Sequence, residues 1–146
     1  MQYRNVLTTC PYCGSGCQLY LQVLDGEIVG VLPAKEDGIS RGKLCIKGWN
    51  ASAFVYHPDR LKAPLIRQGD SFREASWEEA LDLVAERLTA IRDQSGSDSL
   101  GFLASAKCTN EENYLLQKFA RAVFRTNNVD HCARLCHAPT VAGLAA

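Results

Sequence analysis

Apolar and polar residues alternate in two runs within the first third of the chain. The runs lie on either side of Asp25-Gly26, and an Asp-Gly pair between such runs predicts a β-hairpin. The apolar positions of the two runs are Leu19, Leu21, Val23, Ile28, Val29 and Val31. A glycine- and lysine-rich loop is expected at residues 37–43, and the prolines of residues 57–64 favour an extended connector. The pattern predicts a small β-rich domain that ends near residue 57.

From residue 76 onward, apolar residues recur with a helical period. Ser76, followed three residues later by Glu79, is a capping box that predicts a helix from Trp77 to about Arg92, ending at Gly96. The positions expected to face the interior are Ala80, Leu81, Val84, Leu88 and Ile91. A short apolar run at residues 100–104 predicts a strand after this helix.

A second helix and a second short strand are predicted next. The helix is expected to begin at Thr109 or Asn110, with acidic residues in its first turn. Its apolar face comprises Tyr114, Leu115, Phe119, Val123 and Phe124. Residues 126–128 predict a turn, and Val129 starts another extended segment. The order helix, strand, helix, strand is typical of a parallel α/β layer.

Composition narrows the classes of protein to consider. The chain has 146 residues, of which 47% are hydrophobic and 22% charged, as in folded globular proteins. The net charge of zero argues against a nucleic-acid partner and against membrane attachment through a basic patch. No apolar run could span a bilayer and no signal sequence is recognisable, so we expect a cytoplasmic protein. In that compartment, the seven cysteines are better explained as metal ligands or reactive thiols than as disulfides.

Four cysteines, Cys10, Cys13, Cys17 and Cys45, have the spacing C-x2-C-x3-C-x27-C. Three thiolates on one glycine-rich loop and a distant fourth predict a [4Fe–4S] cluster. The alternative is a structural zinc site, but zinc sites with four cysteines usually show two separated C-x2-C pairs. Lys47 lies two residues after Cys45, and it is either a solvated side chain or a cation that shapes the electron path.

A second group of thiols lies near the C-terminus. Cys136 and His137 are adjacent and close to Arg134, and a nearby cation lowers the pKa of a thiol and favours a thiolate ligand. Histidine titrates near neutral pH and can relay a proton. Alternatively, Cys132 and Cys136 are two buried cysteines and His137 is the first residue of a helix. Cys108 is predicted to be either a structural residue or a loop residue without a known role.

The motifs CPYCGSGC, LCIKG, SWEEAL and TNEENYLLQKFARAVFRTNNVDHCARLCHAPTVAGL resemble the N-terminal part of the catalytic alpha subunit of formate dehydrogenases. These enzymes are molybdenum/tungsten bis-pyranopterin members of the molybdopterin oxidoreductase superfamily. The resemblance covers residues 3–145. It implies that the four N-terminal cysteines named above ligate a [4Fe–4S] cluster and that Lys47 lies between this cluster and one pterin. It further implies that Cys136 ligates molybdenum or tungsten and that His137 accepts or relays a proton.

The resemblance also implies a fold and an activity. The fold class is mixed α+β or α/β: a small β-rich [4Fe–4S] domain at residues 1–57, followed at residues 58–146 by the N-terminal portion of a parallel α/β molybdopterin-binding domain. The activity is that of an iron–sulfur oxidoreductase, a formate dehydrogenase or CO2 reductase. Its cofactors are a [4Fe–4S] cluster and a molybdenum or tungsten bis-pyranopterin guanine dinucleotide, and its electrons pass to a partner protein.

The family's catalytic subunit is several times longer than this chain. Residues 1–146 lack the arginine that orients formate in the family, most pterin-binding loops and the C-terminal domain. We therefore expect either a second polypeptide that completes the catalytic subunit or a truncated product or fragment. Two other hypotheses stay open: an electron-transfer iron–sulfur subunit without its own active site, against which the Cys136-His137 pair argues, and an interaction domain stabilised by zinc.

Overall fold

The computed structural model describes all residues from Met1 to Ala146. The strands are β1 (Tyr3–Thr9), β2 (Gln18–Leu24), β3 (Glu27–Pro33), β4 (Leu65–Gln68), β5 (Ser71–Glu74), β6 (Phe102–Ala104) and β7 (Val129–His131). The helices are α1 (Ile46–Trp49), α2 (Trp77–Ser95), α3 (Asn110–Ala122) and α4 (His137–Ala145). The mixed α+β class expected from the sequence is confirmed. No helix combines the length and the apolar character that crossing a membrane requires.

The chain divides into two compact units. The first comprises Met1–Pro58, Leu103–Leu116 and Asp130–Ala146, and the second comprises Asp59–Phe102 and Gln117–Val129. In the first unit, β1, β2 and β3 form an antiparallel sheet in that order. The hairpin predicted at Asp25-Gly26 is present, and both residues have positive φ, 49° and 92°, as a two-residue hairpin turn of this kind requires.

The core of the first unit lies directly behind the loop that joins β1 and β2. Its buried residues are Cys10, Leu19, Val31 and Ala51, and the partly buried Tyr12, Cys17, Leu21 and Leu44 pack against them. Two cysteines of the predicted cluster motif are therefore part of, or adjoin, the hydrophobic core. The loop they belong to is supported by packed side chains and not by backbone hydrogen bonds alone.

In the second unit, β4 and β5 form a two-stranded antiparallel hairpin ahead of α2. Three phenylalanines form an aromatic cluster, in which the ring centroids of Phe119 and Phe124 lie 5.1 Å apart and those of Phe102 and Phe124 lie 5.6 Å apart. Phe124 is 2% exposed and is the centre of this cluster. Edge-to-face and tilted aromatic pairs of this kind contribute beyond the area that they bury.

Helix α2 begins and ends where the sequence predicts. The Ser76 hydroxyl accepts a hydrogen bond of 3.1 Å from the backbone N–H of Glu79, and Gly96 follows the last turn with φ of 82°. The expectation that its apolar stripe faces the interior is wrong, because no residue of α2 is buried and Leu81, Val84 and Ile91 are exposed. Periodicity identifies the apolar face of a helix, but burial also needs a covering surface, which these 146 residues do not supply.

Helix α3 begins with a reciprocal capping box. The Thr109 hydroxyl accepts a hydrogen bond from the Glu112 N–H at 3.3 Å, and the Glu112 carboxylate accepts one from the Thr109 N–H at 2.7 Å. Thr109 is therefore the cap, and Asn110 is free for another role. Of the predicted apolar face only Phe124 is buried, while Tyr114 and Leu115 are exposed. The helix ends at Ala122, so Phe124 lies in the turn that follows it.

Candidate metal centre

A closed loop between β1 and β2 carries the first three cysteines of the motif. The backbone N–H of Cys10 donates a 2.8 Å hydrogen bond to the Cys17 carbonyl, and this bond joins the two ends of the loop. Gly16 has φ of 67°, a conformation that a residue with a side chain rarely adopts. The backbone between these cysteines is thereby folded into a tight turn, and none of the seven cysteines of the chain forms a disulfide.

Hydrogen-bond donors surround two of the four thiols. The hydroxyl and the backbone N–H of Ser15 donate to Cys13 and lower its pKa. At the start of α1, the backbone N–H groups of Gly48 and Lys47 lower the pKa of Cys45. A lowered pKa favours the thiolate, which is the form that binds metals. Donors that the local fold holds in place therefore stabilise a thiolate at Cys13 and at Cys45.

The pKa of Cys17 is shifted in the opposite direction. Burial and the neighbouring thiols of Cys10 and Cys13 raise its pKa, because a thiolate there would lie in a poorly solvated place beside two further sulfurs. Thiolates gathered on one loop repel one another, and a cationic core between them would relieve this repulsion. The electrostatics thus place Cys10, Cys13 and Cys17 near one another, and Cys13 also acts on Cys45.

Lys47 is a cation that acts on this group of thiols. Its ammonium lowers the pKa of both Cys13 and Cys45, so it lies within electrostatic reach of thiols from both parts of the motif. The side chain is exposed at the surface of α1. The exposed position is that of a solvated side chain, and the electrostatic reach is that of a cation beside the cysteines, so both interpretations of Lys47 stay open and its role toward a pterin stays a prediction.

The segment after Cys17 is anchored by Asp37, which is 5% exposed. Its carboxylate accepts hydrogen bonds from the backbone N–H groups of Gln18 (3.2 Å), Ile39 (3.0 Å) and Ser40 (2.8 Å) and from the Ser40 hydroxyl (2.6 Å). These four donors, those of Ser40 first, hold the pKa of Asp37 well below its usual range. Asp37 therefore ties the residue that follows Cys17 to the loop at residues 37–40.

We expect Asp37→Asn to destabilise the chain at pH 7, and we expect the difference from wild type to shrink toward pH 3. An aspartate whose pKa is lowered on folding stabilises the folded state above its ordinary pKa of 3.8, and this contribution is lost progressively as the pH falls below that value. Chemical denaturation of the full chain at both pH values measures the effect. Asp70→Asn, an exposed aspartate of another turn, controls for the loss of one charge. A difference as large at pH 3 as at pH 7 would contradict the assignment.

Cys136 and His137 lie at the beginning of α4. Cys136 is the residue before the helix, its backbone N–H donates to the Cys132 carbonyl at 3.1 Å, and its own carbonyl accepts from the Thr140 hydroxyl at 2.8 Å. Both Cys136 and His137 are exposed, so the alternative that Cys136 is a buried structural cysteine is wrong. The hydrogen bonds of Cys136 stay within its own segment, and none joins it to the four N-terminal cysteines.

Cys132 has an environment that the sequence did not predict. Its sulfur accepts a hydrogen bond from the Ala106 backbone N–H at 3.3 Å, and the Ser105 hydroxyl lies 4.0 Å away. The Ala106 N–H, the His131 side chain and the Ser105 hydroxyl together lower the pKa of Cys132 to about 7. The Ala106 and Ser105 donors come from the connection that follows β6, so the local sequence around Cys132 could have indicated only the adjacent His131.

The donor set fits an iron–sulfur cluster. Four free thiols, two of them with N–H donors and one lysine nearby, are the ligands and surroundings that such a cluster uses. No group of three or more His, Cys, Asp and Glu side chains has the close spacing of a site for one ion. A four-iron cluster needs wider spacing than one ion, because each thiolate binds a different iron. The assignment of these four residues as ligands stays a prediction.

These features define a class of protein: an iron–sulfur protein with a separate exposed thiol at a helix start. The family model described as Molybdopterin oxidoreductase Fe4S4 domain matches residues 3–57, and the one described as Molybdopterin oxidoreductase matches residues 60–145. The chain belongs to the molybdopterin oxidoreductase family, and it carries the family's Fe4S4 domain. The family predicted from the sequence is confirmed, as are the two kinds of cofactor, an iron–sulfur cluster and a metal pterin.

The relatives are much longer than this chain. It is 49% identical over 146 residues to the F420-dependent formate dehydrogenase subunit alpha of Methanocaldococcus jannaschii, covering 100% of this chain and 21% of the relative. It is 51% identical over 144 residues to the F420-dependent formate dehydrogenase 1 subunit alpha of Methanococcus maripaludis, covering 99% of this chain and 21% of the relative. Among solved structures, acetylene hydratase from Pelobacter acetylenicus matches with a TM-score of 0.69 and 26% identity over 92% of this chain and 19% of that one. The chain thus spans about a fifth of the length of these proteins.

Proposed function

We propose that this chain is the N-terminal part of the catalytic subunit of a formate dehydrogenase. Formate would be oxidised to CO2 with release of two electrons and one proton, or CO2 reduced by the reverse reaction. The observation that carries the proposal is the combination, in one chain, of four gathered thiols and an exposed Cys136 followed by His137. The similarity to two formate dehydrogenase alpha subunits supports it, because it extends over 99–100% of the chain and includes both groups.

The functional residues belong to two proposed sites, a metal–pterin site and an iron–sulfur cluster. A molybdenum or tungsten pterin, when bound, supplies the two-electron chemistry. The thiolate of Cys136 would hold the metal, and its place at the start of α4 leaves the sulfur open to the cofactor. The imidazole of His137, one residue further on, would take the proton that formate releases.

The four N-terminal cysteines would hold a [4Fe–4S] cluster that receives the electrons. Lys47 acts on Cys13 and Cys45, and we propose that its charge lies on the electron path between the pterin and the cluster. A partner protein would accept the electrons from the cluster, and a second stretch of polypeptide would complete the pterin site. Seven free thiols are typical of a reducing compartment, which supports the cytoplasmic location in this proposal.

The domain division is part of the same proposal. We propose a cluster domain at residues 1–57 and the first portion of the molybdopterin-binding domain at residues 58–146. The two family-model matches, which adjoin between residues 57 and 60, support this division. The three-dimensional units interleave along the chain, because residues 103–116 and 130–146 belong to the unit that also contains the cysteine loop.

Metal analysis of the complex purified anaerobically from its native host tests this proposal. We expect iron together with molybdenum or tungsten, and formate-dependent reduction of a viologen dye. Iron without molybdenum or tungsten would favour the alternative, an electron-transfer subunit without its own active site. A colourless protein that holds one zinc ion per chain would exclude both and leave the zinc-stabilised interaction domain.

A further inference from the structure

The first residue of α3 contacts the cysteine loop directly. The side-chain amide of Asn110 donates a 2.8 Å hydrogen bond to the backbone carbonyl of Gly14, which lies between Cys13 and Ser15. A Cβ atom on Gly14 would lie 2.5 Å from the Asn110 amide oxygen, closer than such atoms approach in proteins. The amide of Asn110 therefore lies directly against Gly14, and a side chain at position 14 would force this amide to shift.

The peptide bond that Asn110 holds also carries a donor to the predicted cluster. In a planar trans peptide, the carbonyl of Gly14 and the N–H of Ser15 point in opposite directions. That N–H donates to the Cys13 sulfur. One rigid peptide thus joins the carbonyl that Asn110 holds to the Ser15 N–H, which acts on the Cys13 thiol. Hydrogen bonds in such a chain polarise and strengthen one another.

The donor itself is held in place. The reciprocal capping box of Thr109 and Glu112 fixes the start of α3 immediately before Asn110. The neighbouring Asn113 side chain donates to the carbonyls of Ser105 (3.1 Å) and Thr109 (3.0 Å) and so ties the same turn to the preceding connection. Asn110 is exposed to solvent on its other side and contributes little to the core. Its contact with Gly14 is therefore its principal interaction.

We propose that Asn110 is a positioning residue for the iron–sulfur cluster: it orients the Gly14–Ser15 peptide so that the Ser15 N–H stays on the sulfur of Cys13. The proposal rests on the assignment of Cys13 as a cluster ligand. An N–H···S hydrogen bond stabilises the reduced cluster, which carries one more negative charge, more than the oxidised one. The Asn110 contact therefore raises the reduction potential of the cluster and makes it a better acceptor.

The test compares the midpoint potential of the cluster in variants of the full chain by an EPR-monitored redox titration. Asn110→Leu keeps the branched shape of the side chain and its zero charge but removes the donor. We expect a lower midpoint potential and altered EPR line positions, with the iron content of wild type. Asn110→Gln keeps a side-chain amide and should recover at least half of the shift. Glu111→Gln, at the next position of the same helix turn, should not reproduce the shift.

Each outcome decides a separate point. A Leu variant whose potential equals that of wild type overturns the proposal, and so does an equal shift in the Leu and Gln variants, because packing against Gly14 would then be the cause. Loss of iron from the Leu variant alone supports the proposal, and loss from both Asn110 variants contradicts it. A wild-type chain without iron and sulfide would instead refute the proposed function on which the inference rests.

Discussion

Replacing Cys136 by serine is expected to lower formate-dependent dye reduction more than about 100-fold while leaving the iron content unchanged. Changes to the outer partners of metal ligands already cost roughly 10- to 100-fold, so loss of a ligand should cost more. Serine has nearly the shape of cysteine, and the backbone bonds of Cys136 to Cys132 and Thr140 do not involve the sulfur. The local structure should therefore survive, and the purified complex can be assayed with a viologen dye.

Cys132→Ser is the matched control for this variant. Cys132 lies four residues earlier, and its sulfur accepts a hydrogen bond from Ala106, which a serine oxygen can also accept. We expect Cys132→Ser to keep most of the activity. Two results would contradict the assignment of Cys136: activity retained after its replacement, or iron lost together with activity, which would mean that the two sites are not separate.

Cys13→Ala is expected to lower the iron content from about four atoms per chain to less than about one and to remove the brown colour. The side chain is only partly buried, so the substitution removes a thiol and creates no large cavity in the core, in contrast to a substitution at the buried Cys10. The hydroxyl and the backbone N–H of Ser15 donate to the Cys13 sulfur, and the charge of Lys47 acts on it as well. All three lower the pKa of Cys13 and so favour a thiolate. Iron and acid-labile sulfide assays measure the result.

Cys108→Ala controls for the loss of a thiol outside the motif. Cys108 is partly buried in the connection between β6 and α3, and its thiol has no proposed role. We expect this variant to keep its iron, its sulfide and its colour. The ligand assignment would be wrong if Cys13→Ala kept a full cluster, or if both variants lost iron to the same extent.

Local signals in the sequence predicted the local structure well. The Ser76 cap, the end at Gly96 and the Asp25-Gly26 hairpin depend on residues that are neighbours in the chain, and all three are present. The β4–β5 hairpin was not predicted, because Gly69-Asp70 joins strands of only four residues, too short to show alternation. Helix α1 was missed for the same reason, since one turn has no period.

The sequence predicted candidate ligands, which stay a prediction, but only part of their surroundings. The spacing of the four N-terminal cysteines pointed to a cluster, and Cys136-His137 pointed to a metal site. The donors that act on Cys13 and Cys45 lie two or three residues further along the chain. Two contacts around these thiols come from distant parts of the chain, that of Asn110 with Gly14 and that of Ala106 with Cys132. Such contacts depend on the folded arrangement of elements 96 and 26 residues apart, which no local pattern encodes.

We propose that this chain carries both the metal ligand and the electron relay of a formate dehydrogenase. Formate added anaerobically to the oxidised complex tests it most directly, with the cluster followed by its visible absorption and EPR signal. We expect formate to bleach the wild-type cluster as dithionite does, whereas in Cys136→Ser only dithionite should bleach it. A wild-type complex that contains iron and molybdenum or tungsten but is reduced by dithionite alone would contradict the account, as would equal reduction of Cys136→Ser by formate.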